Sequence, residues 1–204
     1  MCNYPENSPR RGWGQFIQGY FDSSVLVIND AIDGQSTKTF ISEGHLQKAL
    51  MDKPDILLIQ FGHNDCLHDD PRGTDVETEY PTNLVTFING AGVVHAKPIL
   101  VTPMHFRKFN KAGKVDDALA PYCEVMRVIG TRKKTPVIDL YAASGSLFNS
   151  LGQAGTDKLG VSTDFVHFNE AGAKRLAAIV MEKLPSLDPR LKKALVSTGA
   201  AKKK

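Results

Sequence analysis

Asp55-Ile56-Leu57-Leu58-Ile59-Gln60-Phe61 follows Pro54 and runs straight into Gly62-His63-Asn64-Asp65. Its apolar residues come in one unbroken run rather than alternating with polar ones. Such a run bounded by turn residues predicts a strand buried on both faces, as in a parallel sheet covered by helices. Upstream, apolar spacing predicts a helix from about Thr39 to Met51, with Phe40, Leu46, Ala49 and Leu50 inward. Before it, Ser24 to Asn29 (SVLVIN) predicts a second buried strand, followed by a loop from Asp30 to Thr37. Gly12-Trp13-Gly14 leads into a short amphipathic helix, Gln15 to Phe21. Residues Met1 to Arg11 read as an irregular polar segment broken by Pro5 and Pro9.

The same alternation continues downstream. A polar loop to about Glu79 precedes a helix over Tyr80 to His95, carried by Leu84, Phe87 and Ile88 and weakened by Gly90 and Gly92. A strand over Ile99 to Thr102 is closed by Pro103. A long loop through Lys114 then leads to a helix from Asp116 to Thr131, a strand over Val137 to Leu140 and a helix from Tyr141 to about Leu151. A final helix spans Asn169 to Leu184. Strands alternating with helices of this length predict a three-layer α/β/α domain around a parallel sheet. Ligands bind such sheets at the carboxyl ends of the strands. Gly34, Asn64, Pro103 and the segment Asp164 to His167 all fall just after predicted strands or in loops they feed, so they share one rim.

Composition bounds the function. The chain has 204 residues, 42% hydrophobic and 23% charged, which suits one globular domain over residues 1–204, its last 20 or so an extension with a basic tail. A net charge of +3, partly from Lys202, Lys203 and Lys204, is too small to argue for nucleic acid. No apolar run reaches membrane-spanning length. Cys2, Cys66 and Cys123 are odd in number and widely spaced, so free thiols are expected rather than a disulfide framework or a zinc site. No signal peptide opens the chain as it stands.

Asp164-Phe165-Val166-His167 follows a loop rich in Gly, Ser and Thr (Gly152 to Thr163). A histidine there is a candidate general base, and an aspartate just upstream can fix its tautomer. The alternative is an Asp that caps the next turn. Asn29-Asp30-Ala31-Ile32-Asp33-Gly34-Gln35-Ser36, Gly62-His63-Asn64-Asp65 and Val101-Thr102-Pro103 stand upstream in order, behind Gly12-Trp13-Gly14-Gln15. Together these blocks resemble the SGNH (GDSL-type) hydrolases, and more narrowly the rhamnogalacturonan acetylesterases, from Gly12 to about Leu184.

The resemblance implies a flavodoxin-like sheet and a serine esterase that removes acetyl groups from carbohydrate such as pectin, with no cofactor and no metal. It implies that His167 is the general base and Asp164 its orienting carboxylate. Gly34 would give its backbone N–H, and Asn64 its side-chain amide, to the oxyanion. Turn chemistry is the other reading of Gly34 and Asn64. The partner implied is an acetylated carbohydrate, with no nucleic acid, no membrane and a monomeric state.

One block of the resemblance is absent. The family carries its serine in Gly-Asp-Ser at the end of the first strand, and this chain contains no Gly-Asp-Ser and no G-x-S-x-G. Ser8, Ser36 and Ser42 have no such motif around them, so the nucleophile is unassigned. In a sheet ordered 2-1-3-4-5 the absent first strand is interior, and its loss leaves a gap between two edges. Two explanations stand: a true start upstream of Met1, with an apolar strand ending in Gly-Asp-Ser, or a shortened non-catalytic product. An extracellular or periplasmic location follows only if a signal peptide also lies upstream.

Other readings remain open. His63, Asp65, Cys66, His68, Asp69 and Asp70 crowd a short stretch that suggests a metal site or a solvated acidic loop. A dead relative that keeps a sugar-binding cleft is the second class. Trp13, Tyr20, Phe106 and Phe109 would offer stacking surfaces, and Arg107, Lys108, Lys111 and Lys114 would meet acidic sugars. A dinucleotide or P-loop domain lacks its glycine motifs.

Overall fold

The computed structural model describes residues 1–196. Helices α1 (Thr37–Ser42) and α2 (His45–Met51) precede strand β1 (Ile56–Ile59). Helix α3 (Glu79–Val93), β2 (Lys97–Val101), α4 (Ala120–Lys133), β3 (Val137–Ile138), α5 (Leu140–Asp157) and α6 (Glu170–Met181) follow, and α7 (Pro189–Lys193) ends the series. The strands form one parallel sheet in the order β1-β2-β3, with Leu58 opposite Ile99 and Leu100 opposite Val137.

Side-chain alternation along β2 explains the layers. Ile99 and Val101 enter one core with Trp13, Ile17, Phe148, Leu176 and Val180, whereas Leu100 enters the other with Leu84, Phe87, Tyr122 and Met126. Successive side chains of a strand point to opposite faces, so one apolar run fills two cores. Helix α6 and the 3-10 helix Trp13–Tyr20 cover the first face, and α1 to α4 the second. This is the helix-flanked parallel sheet that the alternation predicts.

Five expectations need correction. Ser24 to Asn29 is not a strand: it pairs with nothing in the sheet, and its side chains alternate from half-buried Val25 and Val27 to Leu26, 80% exposed, and Ile28, 52% exposed. An extended run becomes a strand only beside a neighbour, and among the described residues none lies next to it. The predicted helix Thr39–Met51 is two helices, because Gly44 takes φ +79° between them. The loop predicted from Gly152 to Thr163 starts helical instead. Gly152, at φ +64°, only kinks α5, which resumes to Asp157. Leu140, expected to end a strand, opens α5 behind the Asp139 cap. The helix expected over Gln15 to Phe21 is the 3-10 helix already described. The Lys202–Lys204 tail lies outside the described residues.

Between β1 and the Ser24–Asn29 segment the sheet is open. On that side β1 has no strand partner among the described residues, and Ile56, Leu57 and Leu58 are only half-buried, whereas Ile99, Leu100 and Val101 of β2 are fully buried. A cavity of about 930 Å³ occupies the gap. It reaches the rim where the candidate residues converge.

Candidate active site

Asp164 folds back on its own loop. One carboxylate oxygen accepts the backbone N–H groups of Val166 (2.8 Å) and His167 (2.7 Å), and the other meets His167 Nδ1 at 2.9 Å. Asp164 therefore caps its own turn and orients the His167 ring at the same time. Burial alone would raise the Asp164 carboxyl, but the hydrogen bonds from His167 and Val166 carry it down to about 2. It is an anion at any ordinary pH.

What holds this loop is Arg107. Its buried guanidinium donates to the carbonyls of Asp164 (2.5 Å), Val161 (3.1 Å) and His167 (3.1 Å), and its own N–H donates to Phe165 O. The expectation that Arg107 meets a sugar carboxylate is overturned: the guanidinium is buried, its Nη2 turned onto three carbonyls inside the protein and its Nη1 3.8 Å from Asp157. A side chain on Gly160 would fall 1.7 Å from its guanidinium carbon. Lys108 lies over the Phe165 ring at 5.8 Å, and Lys111 and Lys114 are exposed on a turn.

The other ring nitrogen of His167 faces Asp33, with Nε2 and Oδ1 3.5 Å apart. Asp33 also accepts from the Tyr4 hydroxyl at 3.1 Å. Arg10 bridges both carboxylates that flank the imidazole, at 3.5 Å from Asp33 and 3.6 Å from Asp164. The Asp33 bond first, and Asp164 second, raise the His167 pKa against the opposing effect of burial. The Asp33 carboxyl is held low, chiefly by the same bond. No motif marks Tyr4 or Arg10 in the sequence. Asp33 sits inside a recognisable block, yet only the fold brings it to His167.

Gly34 takes φ +80°, a conformation that favours glycine, and its carbonyl accepts from Arg72 at 3.2 Å. The same Arg72 nitrogen reaches Asn64 Oδ1 at 3.3 Å, which turns the Asn64 amide N–H groups the other way, one onto Gln35 O at 2.9 Å. Arg72 is itself gripped by Asp70 through two oxygens. Gly34 and Asn64 are thus bound into one unit beside Asp33 and His167. All four line the cavity.

Beneath them Asp65 is fully buried and accepts from Thr37 N (3.0 Å), Gly62 N (3.0 Å) and Thr74 Oγ1 (3.2 Å), and also from Thr37 Oγ1. This carboxylate ties the start of α1 to the turn that carries Asn64. Asp70 holds Arg72, and burial lowers His63 to about 4 while its ring packs edge-on to Phe106 at 5.2 Å. Among the described residues, no three His, Cys, Asp or Glu side chains come together as a metal cage. Trp13 is buried and donates to Gln60, so it is core rather than a stacking platform; Phe106 and Phe165 are the aromatic pair at the rim. Ser36 is buried as the cap of α1. The three cysteines are free thiols.

The sequence pattern of the GDSL-like lipase/acylhydrolase family matches residues 3–175. The chain belongs to that family. It is similar to rhamnogalacturonan acetylesterase RhgT of Bacillus subtilis, 35% identical over 95% of this chain and 88% of the relative. The probable rhamnogalacturonan acetylesterase YesY of the same organism is 31% identical over 95% of this chain and 92% of its own length. Among solved structures, this GDSL-type chain superimposes on B. subtilis YxiM with a TM-score of 0.77 at 29% identity, over 92% of this chain and 54% of that one. An acetyl-xylooligosaccharide esterase of Geobacillus, Axe2, shares the fold alone, with a TM-score of 0.69 at 18% identity over 90% and 88% of the two chains. As a GDSL-like acylhydrolase the chain falls among the carboxylic ester hydrolases.

Proposed function

We propose that this chain carries the acid–base and oxyanion machinery of a carbohydrate acetylesterase. The observation that supports it is the hydrogen-bonded line Asp164–His167 at the rim, next to the Gly34–Asn64 unit. His167 takes the proton from a serine hydroxyl as that oxygen attacks the acetyl carbonyl. It returns the proton to the departing sugar oxygen, and water then releases acetate by the same route in reverse. Asp164 stabilises the imidazolium and fixes its tautomer. The Gly34 N–H and the Asn64 amide meet the charge that develops on the carbonyl oxygen. The substrate class, an acetylated pectin-like polysaccharide, rests on the named relatives.

The serine is the element these 204 residues do not place: of the residues lining the cavity only Ser24 is a serine, and it stands among the lining residues of the Ser24–Asn29 wall. A specific observation favours a second reading. Asp33 holds the position at His167 Nε2 that a nucleophile's hydroxyl would need. In that reading the chain binds the polysaccharide without turning it over.

One experiment separates the two. The chain is assayed on p-nitrophenyl acetate and on acetylated pectin beside a form bearing, ahead of Met1, an apolar strand that ends in Gly-Asp-Ser. The esterase reading expects activity in the second form alone, lost by roughly 10⁶ in His167→Ala. Binding of pectin with no turnover by either form would establish the second reading.

A further inference from the structure

Gly34 and Asn64 stand on separate loops, and a side chain from further along the chain joins them. Arg72 Nη1 donates to Gly34 O at 3.2 Å and to Asn64 Oδ1 at 3.3 Å. Arginine carries no acceptor, so the Asn64 atom that faces it is the carbonyl oxygen. The Asn64 amide nitrogen therefore turns away from Arg72, and one of its hydrogens goes to Gln35 O at 2.9 Å. The ring closes through the peptide bond between Gly34 and Gln35. Two donors are left over. The second Asn64 N–H and the backbone N–H of Gly34 have no acceptor among the described residues, and both residues line the cavity beside His167.

Turning the Asn64 amide over would set its nitrogen against Arg72 and its oxygen against Gln35 O. Two hydrogen bonds would be lost, and an acceptor would replace the free donor. Arg72 keeps its own posture because Asp70 holds its other edge. Nε and Nη2 lie 2.8 and 2.7 Å from the two carboxylate oxygens, and the Arg72 backbone N–H meets Oδ1 at 2.9 Å. A bidentate pair fixes the guanidinium plane and leaves both Nη1 hydrogens for the two loops. A lysine ammonium, a point charge on a flexible stem, cannot reproduce that fork. Asp70 also cancels the charge of Arg72, so the pair acts by orientation rather than by attracting an anion.

We propose that Arg72 is a positioning residue for ester hydrolysis: clamped by Asp70, it holds the Asn64 amide and the Gly34 loop so that both free N–H groups can serve one oxyanion. This role rests on the oxyanion reading of Gly34 and Asn64.

The first measurement uses the chain as it is, labelled with nitrogen-15, beside Arg72→Met. The native Asn64 side-chain amide should be as ordered as rigid backbone, with an order parameter of about 0.85, and should fall below about 0.6 in the variant. The Asn83 amide, which donates to Thr37 Oγ1 at 3.0 Å, should keep its order, because a general loosening would move both. The Arg72 side chain is 37% exposed, so water reaches the acceptors it leaves and the variant stays folded. The second measurement uses the serine-bearing form on p-nitrophenyl acetate. Arg72→Met should lower kcat about tenfold to hundredfold with KM within about twofold, a share of what loss of an oxyanion donor costs. Asp70→Asn, which frees the guanidinium, should lower it less. With Asn64→Ala already present, Arg72→Met should cost about threefold or less, because the two act as a unit.

An Asn64 amide equally ordered in Arg72→Met overturns the proposal. An Arg72→Met loss of the same size with and without Asn64 overturns it as well, since Arg72 then acts elsewhere. Undiminished kcat in Asn64→Ala removes the oxyanion reading itself, and the proposal with it.

Discussion

At His167 the two ring nitrogens meet carboxylates of different origin, one local in sequence and one 134 residues away. Both favour the protonated ring, so the folded pKa lies above the ordinary 6.5. Replacing Asp33 by Asn should lower the His167 pKa measured by NMR titration of its ring C–H signals, with Asp164 left to orient the ring. The stability consequence has a definite sign. A raised histidine pKa stabilises the fold fully below the unfolded value of 6.5, and that contribution is lost as pH rises through the folded pKa. The difference in urea stability between the native chain and His167→Gln should therefore be largest near pH 6 and close toward alkaline pH. In the serine-bearing form, hydrolysis needs the free base, so the acidic limb of kcat/KM should sit above 6.5 and move down in Asp33→Asn. Asn64→Ala in that form should cost about 10²–10³ in kcat.

At the scale of elements, the loop that carries Asp164 and His167 depends on one side chain from the other side of the rim. Arg107→Met keeps the volume but leaves the carbonyls of Val161 and Asp164 without a donor, while the His167 carbonyl keeps the Val161 N–H. Each stranded buried acceptor costs about 1–3 kcal/mol, so urea denaturation should show a loss of at least about 2 kcal/mol. The sequence did not announce this. Arg107 stands in a basic, exposed-looking stretch with Lys108 and Lys111, and nothing local distinguishes a buried guanidinium from a solvated one. By contrast β1 and β2 were readable, because an apolar run between turn residues has few other uses. Asp164 and His167 were readable too, since their bond closes within one turn of chain. Ser24–Asn29 was misread for a physical reason: propensity describes how well a residue fits a pleated surface, and here no adjacent strand supplies the rest of that surface. Gly44 and Gly152 were visible as glycines, but only their φ values decide which breaks a helix and which merely bends one.

Across the whole molecule the sheet is unevenly supported. β2 is paired on both edges and buried on both faces, whereas among the described residues β1 is paired on one edge only and is half-exposed. Amide exchange in the native state should follow that asymmetry, with the inward amides of Ile99 to Val101 slowest and the outward amides of β1 far faster. Truncation should follow it too: Leu84→Ala, at a fully buried α3 position in the core on the Leu100 face, should cost about 2–5 kcal/mol by denaturation, whereas Leu26→Ala, at a mostly exposed position, should stay within about 0.5 kcal/mol. By sending Ile99 and Val101 into one core and Leu100 into the other, β2 is a common support of both.

Arg107 grips its loop by main-chain oxygens, and every amino acid brings the same oxygen. The identities of Ser162 and Phe165 are therefore uncoupled from the posture of His167, while Thr163 is not, because its hydroxyl donates to the Asp164 oxygen that meets the ring, and neither is Gly160, because any side chain there collides with the guanidinium. Under the proposed esterase reading, substrate preference can be rewritten by exchanging those two side chains, one of them the aromatic face beside Phe106, without moving the His167 ring.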